Sequence, residues 1–333
     1  MAEIGICLAT YNGAPFLDAQ LASIAAQGDV AWHLYVRDDG SSDATPAMLA
    51  AFAAAHPGRV TLLEDGAGRC GVTGNFNRLM AAVVEPYIAF SDQDDVWRPG
   101  KLATALAAMK ALEKAGGAAM VHADRALIDA GGRAVTASYW RARGVRPEAL
   151  RGAEGHYLFC LAAGAAMLIN RPLRDLACPV PEGARNYDCW IELLAHHFGR
   201  VAALDVIALD HRRHTSNASG GAADIDSAAA RRPLARALRL WRGTARQQSV
   251  YDAYFRQARA LMVHHASSLA PEARRRLERF VSIPGRGTLA RAVALWQARA
   301  APPGLVRRCV FLALTGPRTD PRRPIFDGLR PPR

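Results

Sequence analysis

Residues 86–97 read Pro86-Tyr87-Ile88-Ala89-Phe90-Ser91-Asp92-Gln93-Asp94-Asp95-Val96-Trp97. A short apolar run ends abruptly in three carboxylates, which predicts a buried strand over 86–90 emptying into an acidic turn. The pattern has two precedents upstream. Ile4–Thr10 runs into the turn-prone Asn12-Gly13, and 32–37 runs into Asp38-Asp39-Gly40-Ser41-Ser42-Asp43. Helical stretches separate these runs. Phe16, Leu17, Leu21 and Ile24 form a stripe over 15–27 behind Pro15, and an alanine-rich helix over 45–56 can be capped by Ser42 or Asp43. Further helices are expected over 74–84 and 101–115, and strands over 59–64 and 118–122. Such alternation implies βαβ crossovers, hence an α/β fold with a mostly parallel central sheet flanked by helices. Ligands of such sheets bind outside the carboxyl ends of the strands, so the two acidic turns would face one crevice.

Downstream the pattern loosens. A buried segment over 158–169 and a helix over 186–197 are expected, then helices near 234–246, 249–265, 271–282 and 288–299. The expected organisation is an α/β domain over 1–225, a basic helical region over 226–316 and a loosely ordered Pro/Arg-rich tail over 317–333.

With 333 residues, two domains are the natural expectation, and 50% hydrophobic against 22% charged residues argues against disorder. No apolar run reaches the roughly 18–20 residues of a membrane span. The chain enters Ile4–Thr10 without a basic leader, which predicts no cleaved secretory signal. Six scattered cysteines without close pairing disfavour a zinc or disulfide framework and suit a reducing cytoplasm. Residues 231–333 carry 22 Arg, no Lys and 5 acidic residues, a net +17, which leaves −5 for the first 230. The basicity therefore belongs to the C-terminal region, where it can hold anionic lipid, nucleic acid or polyphosphate.

Asp92-x-Asp94 can place carboxylate oxygens on one divalent cation, with phosphate and water completing its shell; a solvated acidic turn is the competing reading. Gly66-x-Gly68-x-x-Gly71 matches the dinucleotide fingerprint by letter, but it follows the third strand and reads better as a flexible loop. Asp188, between Tyr187 and Trp190, is either a helix-start charge or a general base flanked by sugar-stacking aromatics. His211-Arg212-Arg213-His214 is either a solvated basic loop or a contact for phosphate or metal.

Together these segments resemble the family 2 glycosyltransferases, the inverting class with the A-type nucleotide-diphospho-sugar transferase fold. The matching residues are Ala9-Thr10-Tyr11-Asn12-Gly13, Asp38-Asp39-Gly40-Ser41-Ser42-Asp43 and Gly71-Val72-x-x-Asn75-Phe76-Asn77, then Ser91-Asp92-Gln93-Asp94-Asp95-Val96-Trp97, Tyr187-Asp188-Cys189-Trp190 and Arg212-Arg213-His214-x-x-Asn217. They keep their order over about residues 3–220. The Ser-Asp-Gln-Asp-Asp-Val-Trp form is similar to the rhamnosyltransferase-like subgroup, which builds bacterial surface polysaccharides.

The resemblance implies a role for each matching position. Thr10, Tyr11, Asn12 and Asn75 would line the nucleotide pocket, with Asp39 on the pyrimidine edge. Asp92 and Asp94, with His214 completing the shell, would hold Mn²⁺ or Mg²⁺ against the donor diphosphate, which Arg212 would contact. Asp188 would deprotonate the acceptor, beside Trp97 and Trp190. The implied enzyme is a hexosyltransferase taking a dTDP- or UDP-sugar to a carbohydrate or polyprenyl-linked acceptor, with no nucleic acid partner. It would work in the cytoplasm, on the inner face of the plasma membrane if the basic region docks there through Trp241, Tyr251, Tyr254, Phe255 and Trp296. Packing on the core or self-association are the other readings of that region. The rival functions are a metal-dependent phosphohydrolase or nucleotidyltransferase and a polyanion-binding protein led by the Arg-rich region.

Overall fold

The computed structural model describes residues 3–145, 147, 152–215 and 244–300. The readings placed on Asn217, Trp241 and the 317–333 tail, and on parts of the 226–316 region, lie outside the described residues. The chain forms two compact units. The first comprises Met1–Pro147, Leu161–Val180 and Phe198–Asp224, the second Glu148–Cys160, Pro181–His197 and Ile225–Arg333.

The first unit is built on one sheet. β1 (Ile4–Thr10) carries Ile4, Ile6, Cys7 and Leu8 wholly buried, as expected of a strand covered on both faces. It pairs in parallel with β2 (Trp32–Asp38) and β4 (Tyr87–Asp92), and β2 pairs in parallel with β3 (Val60–Leu62). These strands follow the sequence reading, and so do most helices: α1 (Ala14–Ala25) carries Pro15 in its first turn, α2 (Thr45–Ala55) and α4 (Lys101–Glu113) fall within the expected spans, α3 (Gly71–Ala82) begins three residues before the expected 74, and the short α5 (Tyr139–Arg143) and α6 (Arg171–Ala177) follow further along the chain. Asp43 supports the start of α2, its carboxylate accepting from Thr45 N at 3.0 Å.

Beyond β4 the sheet is mixed. β8 (Met167–Asn170) runs antiparallel to both β4 and β6 (Ala118–Asp129). β9 (Gly199–Arg213) runs parallel to β6, while β5 (Val96–Trp97) is antiparallel to β9 and β7 (Ala134–Thr136) to β6. The mostly parallel expectation thus describes the β1–β4 half. β6 extends seven residues past the expected 118–122, and β9 was not expected at all. Its half-exposed, irregularly alternating sequence carries no clean period, and register shifts near Asp124 break its pairing with β6.

The second unit is helical. α7 (Tyr187–Phe198, of which residues to His197 belong here) and α8 (Thr244–His265) meet through Gln257, whose side chain accepts from Arg185 N at 3.0 Å and donates to the Cys189 carbonyl at 3.3 Å. Phe280 of α9 (Pro271–Val281) lies 4.9 Å from the Phe255 ring and 5.0 Å from Tyr157. These contacts explain why 148–160 and 181–197 join the C-terminal helices instead of following the linear division at 225. Tyr254 and Phe255, read as membrane-facing, are core residues here, whereas Trp296 on α10 (Thr288–Gln297) is exposed.

His197 is held neutral inside this unit. Burial, outweighing the opposing charge of Glu154, pushes its imidazole down from 6.5 to about 4. The unfolded chain therefore binds a proton at higher pH than the folded one, and the unit should lose stability as pH falls from about 6.5 to about 4. The expected loss is at most about 3 kcal/mol. Denaturant unfolding across that range should show this slope in the wild type and not in His197→Asn; equal slopes would contradict it.

Candidate active site

The ends of β1, β2 and β4 lie side by side because the three strands are adjacent and parallel, and the loops that leave them are laced together. Thr10 Oγ1 donates to Asp38 at 2.8 Å; Asn12 N donates to Ser41 Oγ at 2.7 Å, and Ser42 N to Asn12 Oδ1 at 2.8 Å. Asn12 takes a left-handed conformation (φ 48°), which asparagine tolerates better than most residues. Gln93, the central residue of the acidic turn, clamps Tyr11 from both sides. Its Oε1 accepts from Tyr11 N at 2.8 Å and its Nε2 donates to Tyr11 O at 2.9 Å. Gly13 permits this approach, since a Cβ there would sit 2.2 Å from Gln93 Oε1.

The acidic turn itself is opposed by the end of β9. Pairing of Val96 with Asp210 and of Trp97 with Leu209 carries 211–214 alongside 94–95. His214 Nε2 lies 2.7 Å from Asp94 Oδ2, and His211 Nδ1 lies 2.9 Å from Asp95 Oδ1. The Arg212 N–H also donates to Asp95 at 3.1 Å. Phe16 backs the cluster, its ring centroid 4.6 Å from that of His214. Asp94 is 8% exposed and Asp95 fully buried, and Asp95 Oδ2 has no hydrogen-bond partner among the described residues. Burial, followed by the neighbouring Asp95 charge, pushes the Asp94 carboxyl above its ordinary range against the pull of the two histidines. Asp92 stands half-buried at the end of β4, opposite Ala9.

Several expected contacts are used differently. Asp39, expected on a base edge, is 4% exposed and accepts from Cys70 N at 2.7 Å, Gly71 N at 2.8 Å and Arg37 at 3.0 Å. Its carboxylate ties the 65–71 loop to β2. Burial alone would raise its pKa, but these donors together hold it below the usual value. Asn75 is likewise buried and donates to the Arg37 carbonyl at 3.0 Å. The Arg212 guanidinium donates to the carbonyls of Asp94 at 3.0 Å and Ala130 at 3.1 Å, which ties it to the acidic turn. Trp97 and Trp190, expected beside the acceptor, are core residues; Lys101 Nζ covers the Trp97 ring at 3.4 Å, and Trp190 is sealed inside the second unit.

Sequence reasoning missed Arg37 and Asp65. Arg37 also donates to Asp65 at 2.9 Å, so one guanidinium serves both carboxylates. Charged residues inside the expected strand 32–37 and the expected flexible loop were the available signal. Asp188 lies in the second unit. Half-buried on the first turn of α7, it accepts from Cys189 N at 2.7 Å. Burial, with Glu192 nearby, raises its pKa, moving it toward the range of a working base.

Comparison with known proteins identifies the family and the fold. Residues 5–171, half of the chain, match the profile described as Glycosyl transferase family 2, and the chain belongs to that family. It is 37% identical over 102 residues to the dTDP-rhamnosyl transferase RfbG of Shigella flexneri, a match covering 30% of this chain and 35% of that protein. It is 31% identical over 99 residues to UDP-Glc:alpha-D-GlcNAc-diphosphoundecaprenol beta-1,3-glucosyltransferase WfgD of Escherichia coli, covering 30% of this chain and 38% of the relative. The chain thus spans little more than a third of the length of these curated relatives. The mannosyltransferase PcManGT of Pyrobaculum calidifontis, solved with GDP-Man and Mn²⁺, shares the fold with a TM-score of 0.51 at 19% identity, over 94% of this chain and 79% of its own.

Replacing Asp39 by Asn removes charge and acceptors from a buried Arg37. Asp39→Asn should destabilise the protein by about 3 kcal/mol in urea denaturation and accelerate amide exchange at Cys70 and Gly71. An unchanged midpoint with unchanged exchange would contradict the role given to this carboxylate.

Proposed function

We propose that the protein is an inverting glycosyltransferase that moves a hexose from a nucleoside diphosphate donor to an acceptor hydroxyl. The observation that carries this reading is the buried Asp94–Asp95 pair, met by His214 and His211 at the carboxyl edge of the parallel strands. Carboxylate oxygens and an imidazole nitrogen form a donor set suited to Mn²⁺ or Mg²⁺. An anionic pair with one unpartnered buried oxygen is relieved by a divalent charge, so the residues fit such an ion. Asp94 and His214 would hold it, with Asp92 on the donor side. When bound, the ion supplies Lewis-acid stabilisation of the charge on the departing diphosphate.

The chain's own residues do the remainder. The laced Thr10–Asn12 loop, fixed by Gln93, would line the nucleotide pocket, with the Tyr11 ring partly exposed beneath the Arg69 guanidinium at 3.9 Å. Arg212 positions the acidic turn. Asp188 removes the acceptor proton as its oxygen attacks the anomeric carbon opposite the leaving group, so a single displacement inverts that centre.

Similarity to RfbG supports a dTDP-sugar, with rhamnose as the transferred unit, and similarity to WfgD supports a polyprenyl-linked acceptor in polysaccharide assembly. Such an acceptor would bring the protein to the anionic inner face of the plasma membrane. Among the described residues no helix is long and apolar enough to cross a membrane. The exposed Leu289, Val293 and Trp296, three and four residues apart along α10, support peripheral docking. A phosphohydrolase or a polyanion binder would leave the Asp188 site without a task.

Asp188→Asn should lose at least about a hundredfold in turnover while binding nucleotide-sugar normally in a thermal-shift titration. Near-normal turnover would remove Asp188 from the mechanism.

A further inference from the structure

The six cysteines show no metal-binding spacing in sequence, yet the fold gathers two of them at one point. In the second unit Cys160 and Cys189 approach Asp188 so that the two Sγ atoms and a carboxylate oxygen all lie within 4.8 Å of one another. Cys189 is buried; Cys160 and Asp188 are half-buried. The thiols are hydrogen-bonded to each other, and Arg185 Nη1 stands 3.7 Å from Cys189 Sγ while donating to Tyr254 OH at 2.6 Å.

We propose that Cys160, Cys189 and Asp188 form a binding site for a thiophilic divalent cation of the zinc class, separate from the Asp94–His214 pair. Tetrahedral zinc with Zn–S bonds of about 2.3 Å sets its sulfurs about 3.8 Å apart, so the observed spacing needs at most a small contraction. Water supplies the fourth ligand at the open side. Loading forms two S–Zn bonds and one O–Zn bond, breaks two S–H bonds and releases the two protons to buffer; nothing is oxidised or reduced. Two thiolates and one carboxylate around a 2+ ion leave one net negative charge, which the Arg185 guanidinium offsets.

The neighbouring His156–Glu192–His196 group is a poorer candidate. Its imidazoles stack face to face at 3.5 Å and 14°, and in-plane lone pairs of nearly parallel rings do not converge on one ion.

Occupancy would also take Asp188 as a ligand, making zinc an inhibitor of transfer. That consequence rests on the proposed function; the binding itself does not. The test uses the full chain with excess Mg²⁺ and titrates Co²⁺ as a coloured substitute for Zn²⁺. Wild type and Cys178→Ser should develop thiolate-to-cobalt charge-transfer absorption, displaced by Zn²⁺. Cys160→Ser and Cys189→Ser should each lose intensity and at least about tenfold in affinity, and the double variant should lose the band. In case a variant misfolds, Zn²⁺ should protect Cys160 and Cys189 of the wild type, and not Cys178, from alkylation read by mass spectrometry. Absence of the absorption, its persistence in the double variant, or equal alkylation with and without Zn²⁺ would overturn the site. Absorption without zinc inhibition of sugar transfer would keep the site and instead sink Asp188 as the base.

Discussion

Two adjacent buried carboxylates, Asp94 and Asp95, are the constraint around which the candidate active site is arranged. Side by side at the end of a strand they repel, and desolvation makes the repulsion worse. The fold answers with the antiparallel pairing of β5 and β9, which sets His211, Arg212 and His214 against them across more than a hundred residues of chain. That answer is incomplete, for one Asp95 oxygen remains unpartnered and the Asp94 carboxyl stays raised. Under the proposed function, this is the place at the rim of the parallel strands where a cation brought with an anionic ligand would sit.

The rim owes its shape to reciprocal hydrogen bonds and not to hydrophobic packing. Gln93 locks the β4 turn to the β1 loop, Asn12 and Ser41 lock the β1 loop to the β2 loop, and Asp39 locks the β2 end to the 65–71 loop through two backbone amides. Polar residues that look free in sequence are therefore committed to one another. The consequence is a laced edge on which the Tyr11 ring stays exposed.

The strand–helix alternation to residue 115 was legible because each strand is a continuous apolar run that stops at a turn signal, and because Pro15 marks the first helix start. The acidic turn, and its kinship with the segment 211–214, were legible through the resemblance. β9 was not, since its half-exposed residues follow neither period. Nor could sequence distinguish a ligand-facing polar group from one that serves the fold: Asp39, Asn75 and Arg212 carry the right chemistry and spend it internally, and Trp97 and Trp190 are buried by packing that no local pattern reveals. The meeting of Cys160 with Cys189 depends on a long-range chain path and left no trace in spacing.

The claim that the Asp94–His214 pair grips a divalent ion together with a nucleotide is tested most directly by titrating Mn²⁺, followed by electron paramagnetic resonance, with and without a dTDP- or UDP-sugar. The account predicts that the nucleotide tightens Mn²⁺ binding by at least about tenfold and that this coupling disappears in Asp94→Asn and in His214→Gln. Mn²⁺ binding that is indifferent to nucleotide, or coupling that survives both substitutions, would contradict it.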